Sequence, residues 1–135
     1  WAFKKDTNDT RESAAIYVAN ELIEDGANIH IYDPKVSESK IKSDLSYLWN
    51  LNGVRETEIS KKLEQVFVHR KVNDALNNSH AIAVLTEWDE FKSIDFKKMV
   101  KNKNFKIYDL RNLYTAEDMK RNKIGHLPSE FDISD

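Results

Sequence analysis

Apolar positions along the chain recur with two periods, one suited to helices and one to strands. Ala15, Val18, Ala19 and Leu22 fall on one helical face, with Glu21, Glu24 and Asp25 turned outward. Asp9 or Thr10 stands where an N-cap belongs. With Asp9 as cap, Glu12 takes the third helical position, a variant of the capping box. Gly26 is a natural stop. In "NIHIYDP", Ile29 and Ile31 alternate with His30 and Tyr32 as in a strand, and Pro34 ends it. "SESKIKSDLSYL" returns to helical spacing at Ile41, Leu45 and Leu48 before "NLNG" breaks it, and "EISKKLEQ" reads as a short helix or a loop. "VFVH" is a predicted strand, and "RKVNDALNNS" a short helix with Val72, Ala75 and Leu76 inward. "AIAVLT" is predicted as a strand buried on both faces. "EWDEFKSIDFKKMVKNK" is one helix or two short pieces with Phe91, Ile94 and Phe96 in the core, and "FKIYDLRN" is another strand. Thr115 with Asp118 caps a last helix that Gly125 stops, and "LPSEFDIS" offers a terminal strand.

Helices alternating with short strands predict an α/β fold, a Rossmann-like, doubly wound and mostly parallel sheet with helices on both faces. At 135 residues the chain is one domain, spanning 1–135. Only "WAF" precedes the first helix, so the first strand, usually central in such a sheet, is expected to be truncated. The start at Trp1 without a methionine fits a piece of something longer. The absence of cysteine removes disulfides, thiolate catalysis and cysteine metal sites from these residues, and weakly favours a reducing, cytoplasmic setting. A net charge of −2 with interspersed signs gives no reason to expect nucleic acid or a membrane as partner. His30, His69, His80 and His126 show no ligand spacing, so no metal is expected.

Ligands of open parallel sheets sit beyond the carboxyl ends of the strands. "FKKDTNDTR", "TEWDEF" and "DLRNLY" should meet there. Lys4, Lys5 and Arg11 offer positive charge beside a helix start, Arg111 a planar fork suited to phosphate, and Phe3, Trp88 and Tyr114 ring faces. Each also has an ordinary reading. Lys4 and Lys5 can be solvated charge, Arg11 can pair with Asp9 or Glu12, Trp88 can be packing and Phe3 core. Glu87 and Asp89 can cap the following helix. The first loop has no glycine, and Asp33 lies too far along for the ribose-binding acid, so a dinucleotide in the usual seat is not expected. No serine stands in a nucleophile elbow, leaving no candidate for covalent catalysis.

"WAFKKDTNDTRES" resembles the "FAFKKDTxDTRES" pattern of UDP-glucose 6-dehydrogenases at nearly every position. The likeness continues through "IYDPKV", "AVLTEWDEF" and "IYDLRNLY", in the order of that family's C-terminal UDP-binding domain, and fades between Ile41 and Glu64 and after Thr115. The resemblance implies that Phe3, Lys4 and Arg111 hold the nucleotide sugar and that Arg11 reaches NAD bound mainly by another domain. It implies an oxidation of UDP-glucose to UDP-glucuronate with two NAD in the full-length protein, through a cysteine this chain does not contain, and a homo-oligomer. No catalytic residue is implied within these positions. A UDP-N-acetylmannosamine or GDP-mannose dehydrogenase, or a non-catalytic interaction module, are the alternatives. Two departures stand out. Leu110 replaces the family's glycine before the arginine, and Asn8 replaces a common glycine in the first loop, where its tolerance of the left-handed region would preserve the turn.

Overall fold

The computed structural model describes residues 1–11, 13–111, 113 and 126–127. Helix α1 (Ala15–Glu24), strand β1 (Ile29–Tyr32), α2 (Glu38–Leu51), α3 (Glu56–Leu63) and β2 (Val66–His69) form the first half. Helix α4 (Val72–Leu76), β3 (Ala81–Val84), a 3₁₀ turn at Asp89–Ser93, α5 (Phe96–Met99), β4 (Lys106–Asp109) and β5 (His126–Leu127) form the second. Among the described residues every strand pairing is parallel, Ile29 beside Val66, Ala81 beside Lys106 and Ile107 beside His126. The fold is the expected α/β, Rossmann-like arrangement.

The strands form two ladders, β1–β2 and β3–β4–β5. A doubly wound sheet places its first strand between such halves. Trp1 and Ala2 take no ladder of their own; they are buried at the rim of that position, 6% and 1% exposed. The Trp1 amino group donates to Asp33 Oδ2 (3.0 Å), just after β1, and to Thr86 Oγ1 (3.3 Å), just after β3.

Two apolar clusters follow from the element faces. Ala15, Ala19 and Ile23 of α1 and Ile41, Leu45 and Trp49 of α2, each set spaced by one helical turn, pack with Ile59, Val66, Trp1 and Trp88. Ile82, Val84, Phe96, Val100, Phe105 and Ile107 form the second cluster, and Phe91 packs against both. The region after "VLT" folds as the two short pieces, with Phe96 buried and Phe91 and Ile94 half-buried beside it.

The structure corrects several expectations. Helix α1 starts at Ala15, and neither Asp9 nor Thr10 caps it; its N-cap is Ala14, without a side-chain bond. Asp9 is committed instead to Arg11, accepting its backbone N–H at 3.0 Å. Strand β3 is not buried on both faces: Ile82 and Val84 are inward, but Ala81 and Ala83 are exposed. Helix α2 runs on to Leu51, with Trp49 rather than Leu48 as its third buried residue. "EISKKLEQ" is largely helical, as α3. Among the described residues, the left-handed non-glycine position is Asp6 (φ 63°), not Asn8, and Leu110 needs no such conformation. Glu12, Thr115, Asp118 and Gly125 lie outside the described residues. So does the predicted terminal strand beyond β5.

Candidate nucleotide-binding rim

The carboxyl ends of the strands gather the expected segments, and specific bonds fix them. Phe3 N–H donates to Asp9 C=O (2.7 Å), closing the first loop on itself, and Asp9 N–H donates to Thr7 Oγ1 (3.1 Å). Thr86, at the end of β3, donates its hydroxyl to Ala2 C=O (2.9 Å). Asp33 is the hub. Its Oδ2 accepts from Ala2 N–H (2.9 Å) and Trp88 Nε1 (3.3 Å), and its Oδ1 from the N–H groups of Lys35 (2.8 Å) and Val36 (3.1 Å). In this chain burial pulls the Asp33 carboxyl upward, but the amino group that ends the chain at Trp1 and the N–H groups of Ala2 and Lys35 outweigh it and hold it below the usual value.

Arg111 is placed by the end of β4. Asp109, fully buried, accepts the backbone N–H groups of Arg111 (3.3 Å) and Leu113 (3.0 Å) on Oδ1, and Leu110 N–H returns to Val84 C=O (3.1 Å). The guanidinium then meets Glu87 from the β3 loop, Nε to Oε2 at 2.8 Å. That contact is badly angled for a hydrogen bond, and the buried Oε2 has no aligned donor. Burial raises the Glu87 carboxyl, but its own backbone N–H, the Arg111 guanidinium and the Lys5 N–H together hold it below its ordinary value. Lys5 Nζ reaches Asp89, two residues further on, at 3.4 Å. Arg111 and the Lys4–Lys5 turn therefore share one stretch of rim.

Lys4 lies exposed on that turn, and Phe3 is 38% exposed, so Phe3 is not core. Trp88 is packing: it is buried among the first cluster with its indole N–H on Asp33. Glu87 does not cap a helix, because its carboxylate faces Arg111. Tyr114 lies outside the described residues.

With Asn8, Asp9, Thr10, Ser37 and Lys40, Arg11 lines an open cleft of about 610 Å³ beside the start of α2, and that lining does not include Arg111. The Arg11 guanidinium grips Asp9 through Nε (3.0 Å) and Nη2 (2.8 Å), which holds the Asp9 carboxyl down to about 2. Ser37 caps α2, accepting Lys40 N–H at 3.2 Å. The cleft thus combines cations with a helix N-terminus, a setting suited to an anion.

Sequence reasoning missed the contacts of four side chains. Asp33 and Thr86 gave themselves away only by standing one or two residues past a strand. His30 and His69 come within 2.8 Å because parallel register sets Tyr32 beside His69 and puts His30 two pairs back, on the same face; burial and the neighbouring His69 lower the His30 pKa. Nothing in their separation along the chain signals that meeting.

Comparison with known proteins matches residues 1–116 to the UDP-glucose/GDP-mannose dehydrogenase family, UDP binding domain. UDP-glucose 6-dehydrogenase 1 of Arabidopsis thaliana is 44% identical across 94% of this chain, and UDP-glucose 6-dehydrogenase 4 of the same plant 42% across 89%. The UDP-glucose 6-dehydrogenase of Pongo abelii is 43% identical across 75% of the chain. The chain spans about a quarter of the length of the first of these relatives (27%). The match covers both the lysine turn and Arg111, and this chain belongs to the UDP-glucose/GDP-mannose dehydrogenase family through its UDP-binding domain.

Proposed function

We propose that the chain grips the nucleotide end of UDP-glucose within a dehydrogenase that oxidises the sugar's C6 alcohol to the carboxylate of UDP-glucuronate. The observation that carries this reading is the meeting of Arg111 with the Lys4–Lys5 turn across Glu87, on a family match that covers both segments. Arg111 supplies a fork for a diphosphate oxygen pair, Lys4 a second cation, and Phe3 an exposed ring against the sugar or base. Binding energy collected at this remote end then orients the reacting carbon elsewhere in the protein.

NAD, when bound, supplies the acceptor for the hydride. The residues here fit a contact with it rather than its seat: the first loop has no glycine turn for a pyrophosphate, whereas Arg11 and the start of α2 offer positive charge on an open cleft. Arg11 would meet the dinucleotide from this side. The chain has no cysteine, so any thiol used in the reaction comes from outside these residues. A cytoplasmic homo-oligomer is part of the same reading.

The test is Arg111→Ala in the whole protein. KM for UDP-glucose should rise at least tenfold, roughly the loss of one charged hydrogen bond, while KM for NAD moves less than about twofold. Equal weakening of both substrates would defeat the assignment. Assays with UDP-glucose, UDP-N-acetylmannosamine and GDP-mannose side by side separate the sugar and base alternatives. Turnover of none of them would favour a non-catalytic module.

A further inference from the structure

We propose that Glu87 is the positioning residue of the nucleotide grip, setting Arg111 and the Lys4–Lys5 turn against each other so that both face one diphosphate. The proposal rests on the reading of Arg111 given above. Three observations carry it. First, Glu87 follows Thr86, whose hydroxyl holds the Ala2 carbonyl (2.9 Å), so the β3 loop already fixes the chain entering the Phe3–Lys5 turn. Second, the Glu87 carboxylate stands between two cationic segments, 2.8 Å from Arg111 Nε on one side and beside the Lys5 N–H on the other. Third, Glu87 meets Arg111 at Nε, and among the described residues no further ion pair or hydrogen bond is made by the guanidinium's terminal nitrogens.

The choice of nitrogen matters. A carboxylate on the terminal nitrogens would compete with phosphate for the fork. One on Nε steadies the guanidinium from behind and leaves the terminal pair for a bidentate oxygen partner. Glu87 Oε2 also has no aligned donor, although it is buried. A small rotation of the guanidinium onto a phosphate can bring Nε–H into line with Oε2, so that ligand binding completes a bond the free site lacks. Lys5 is tied outward to Asp89 (3.4 Å), leaving Lys4 as the cation on that turn without a carboxylate partner among the described residues. Glu87 touches the arginine, not the reacting carbon, and acts through it.

The experiment uses the whole protein carrying Glu87→Gln, Glu87→Asp, Arg111→Ala and the Glu87→Gln/Arg111→Ala pair. Glu87→Gln should raise KM for UDP-glucose about tenfold, with kcat and KM for NAD within about twofold and an unchanged melting temperature. Glu87→Asp, which keeps the charge, should recover part of that loss. On the Arg111→Ala background, Glu87→Gln should add little, because the residue it positions is gone. The proposal is overturned if Arg111→Ala raises KM while Glu87→Gln leaves it within twofold, or if the two effects multiply in full. It is also overturned if Glu87→Gln acts only by lowering the melting temperature. If Arg111→Ala itself leaves KM unchanged, the reading of Arg111 falls and this inference with it, an outcome distinct from the others.

Discussion

Arg11 illustrates how the partner of a side chain decides what it can offer a ligand. Its side chain is 86% exposed and clasps Asp9, whose carboxyl is held near 2 chiefly by the hydrogen bond from that guanidinium. Asp9 is therefore ionised at neutral pH, and the pair is exposed to solvent. Exposed pairs of this kind contribute little net free energy. A phosphate oxygen can take over from Asp9 at small cost, as the proposed contact with a dinucleotide would need. Arg11→Ala in the whole protein should raise KM for NAD about tenfold and change KM for UDP-glucose less than twofold, the reverse of Arg111→Ala. Steady-state kinetics with each substrate varied in turn is the check; a larger effect on UDP-glucose would put Arg11 in the wrong cleft.

At the scale of elements, α2 shows what a chain of alternating periods reveals and hides. Ser37 caps it, Ile41, Leu45 and Trp49 seat it at no more than 1% exposure, and Gly53 closes the turn beyond it at φ +78°. Gly53 has open space around the position of a β-carbon, so Gly53→Ala carries a backbone cost alone, about 1 kcal/mol. Trp49→Ala empties a buried site and strands Asn20 Oδ1, which accepts the indole N–H at 2.7 Å, and should cost about 3–5 kcal/mol. Thermal unfolding of the two variants should rank them in that order. The helix itself was legible from Ile41 and Leu45. Its end was too, since the helix stops at Leu51 inside "NLNG"; that Trp49 rather than Leu48 completes the buried face was not. The start of α1 was misread. Asp9 has the composition of a cap, but a carboxylate can serve only some of the donors near it, and Arg11 offers both an N–H and a fork. Burial of β3 failed too, since "AIAVL" cannot say whether small alanines face a neighbour or solvent. The rim segments were legible because position after a strand is a sequence property. Which side chains meet there, Glu87 with Arg111 and Asp33 with Ala2, depends on three-dimensional register and was not.

Among the described residues there are two apolar clusters and two ladders, and α4, carrying Leu76 of the second cluster, packs on β1 and β2 of the first ladder as well as on α5. Phe91 touches both clusters, and Asp33 ties the end of β1 to Ala2 and to Trp88 in the loop after β3. The same bonds set where the Phe3–Lys5 turn leaves the core, so they also aim the proposed nucleotide grip. Asp33→Asn puts an amide nitrogen among donors and removes the charge they surround; it should cost about 2–4 kcal/mol at neutral pH. The pH dependence follows in sign. In this chain, whose Trp1 amino group is part of the cause, the Asp33 carboxyl is held below its ordinary 3.8, so its stabilisation is complete above that value. It is lost as pH falls through the lower folded-state value and the native carboxylate takes up a proton. The variant has no proton to bind there. The stability gap between wild type and Asp33→Asn should therefore be constant from about pH 7 to pH 5 and narrow below about pH 4. Thermal unfolding of both proteins across that range measures it. A gap that stays constant into the acid limb would mean that Asp33 is not the charged centre holding the two halves together.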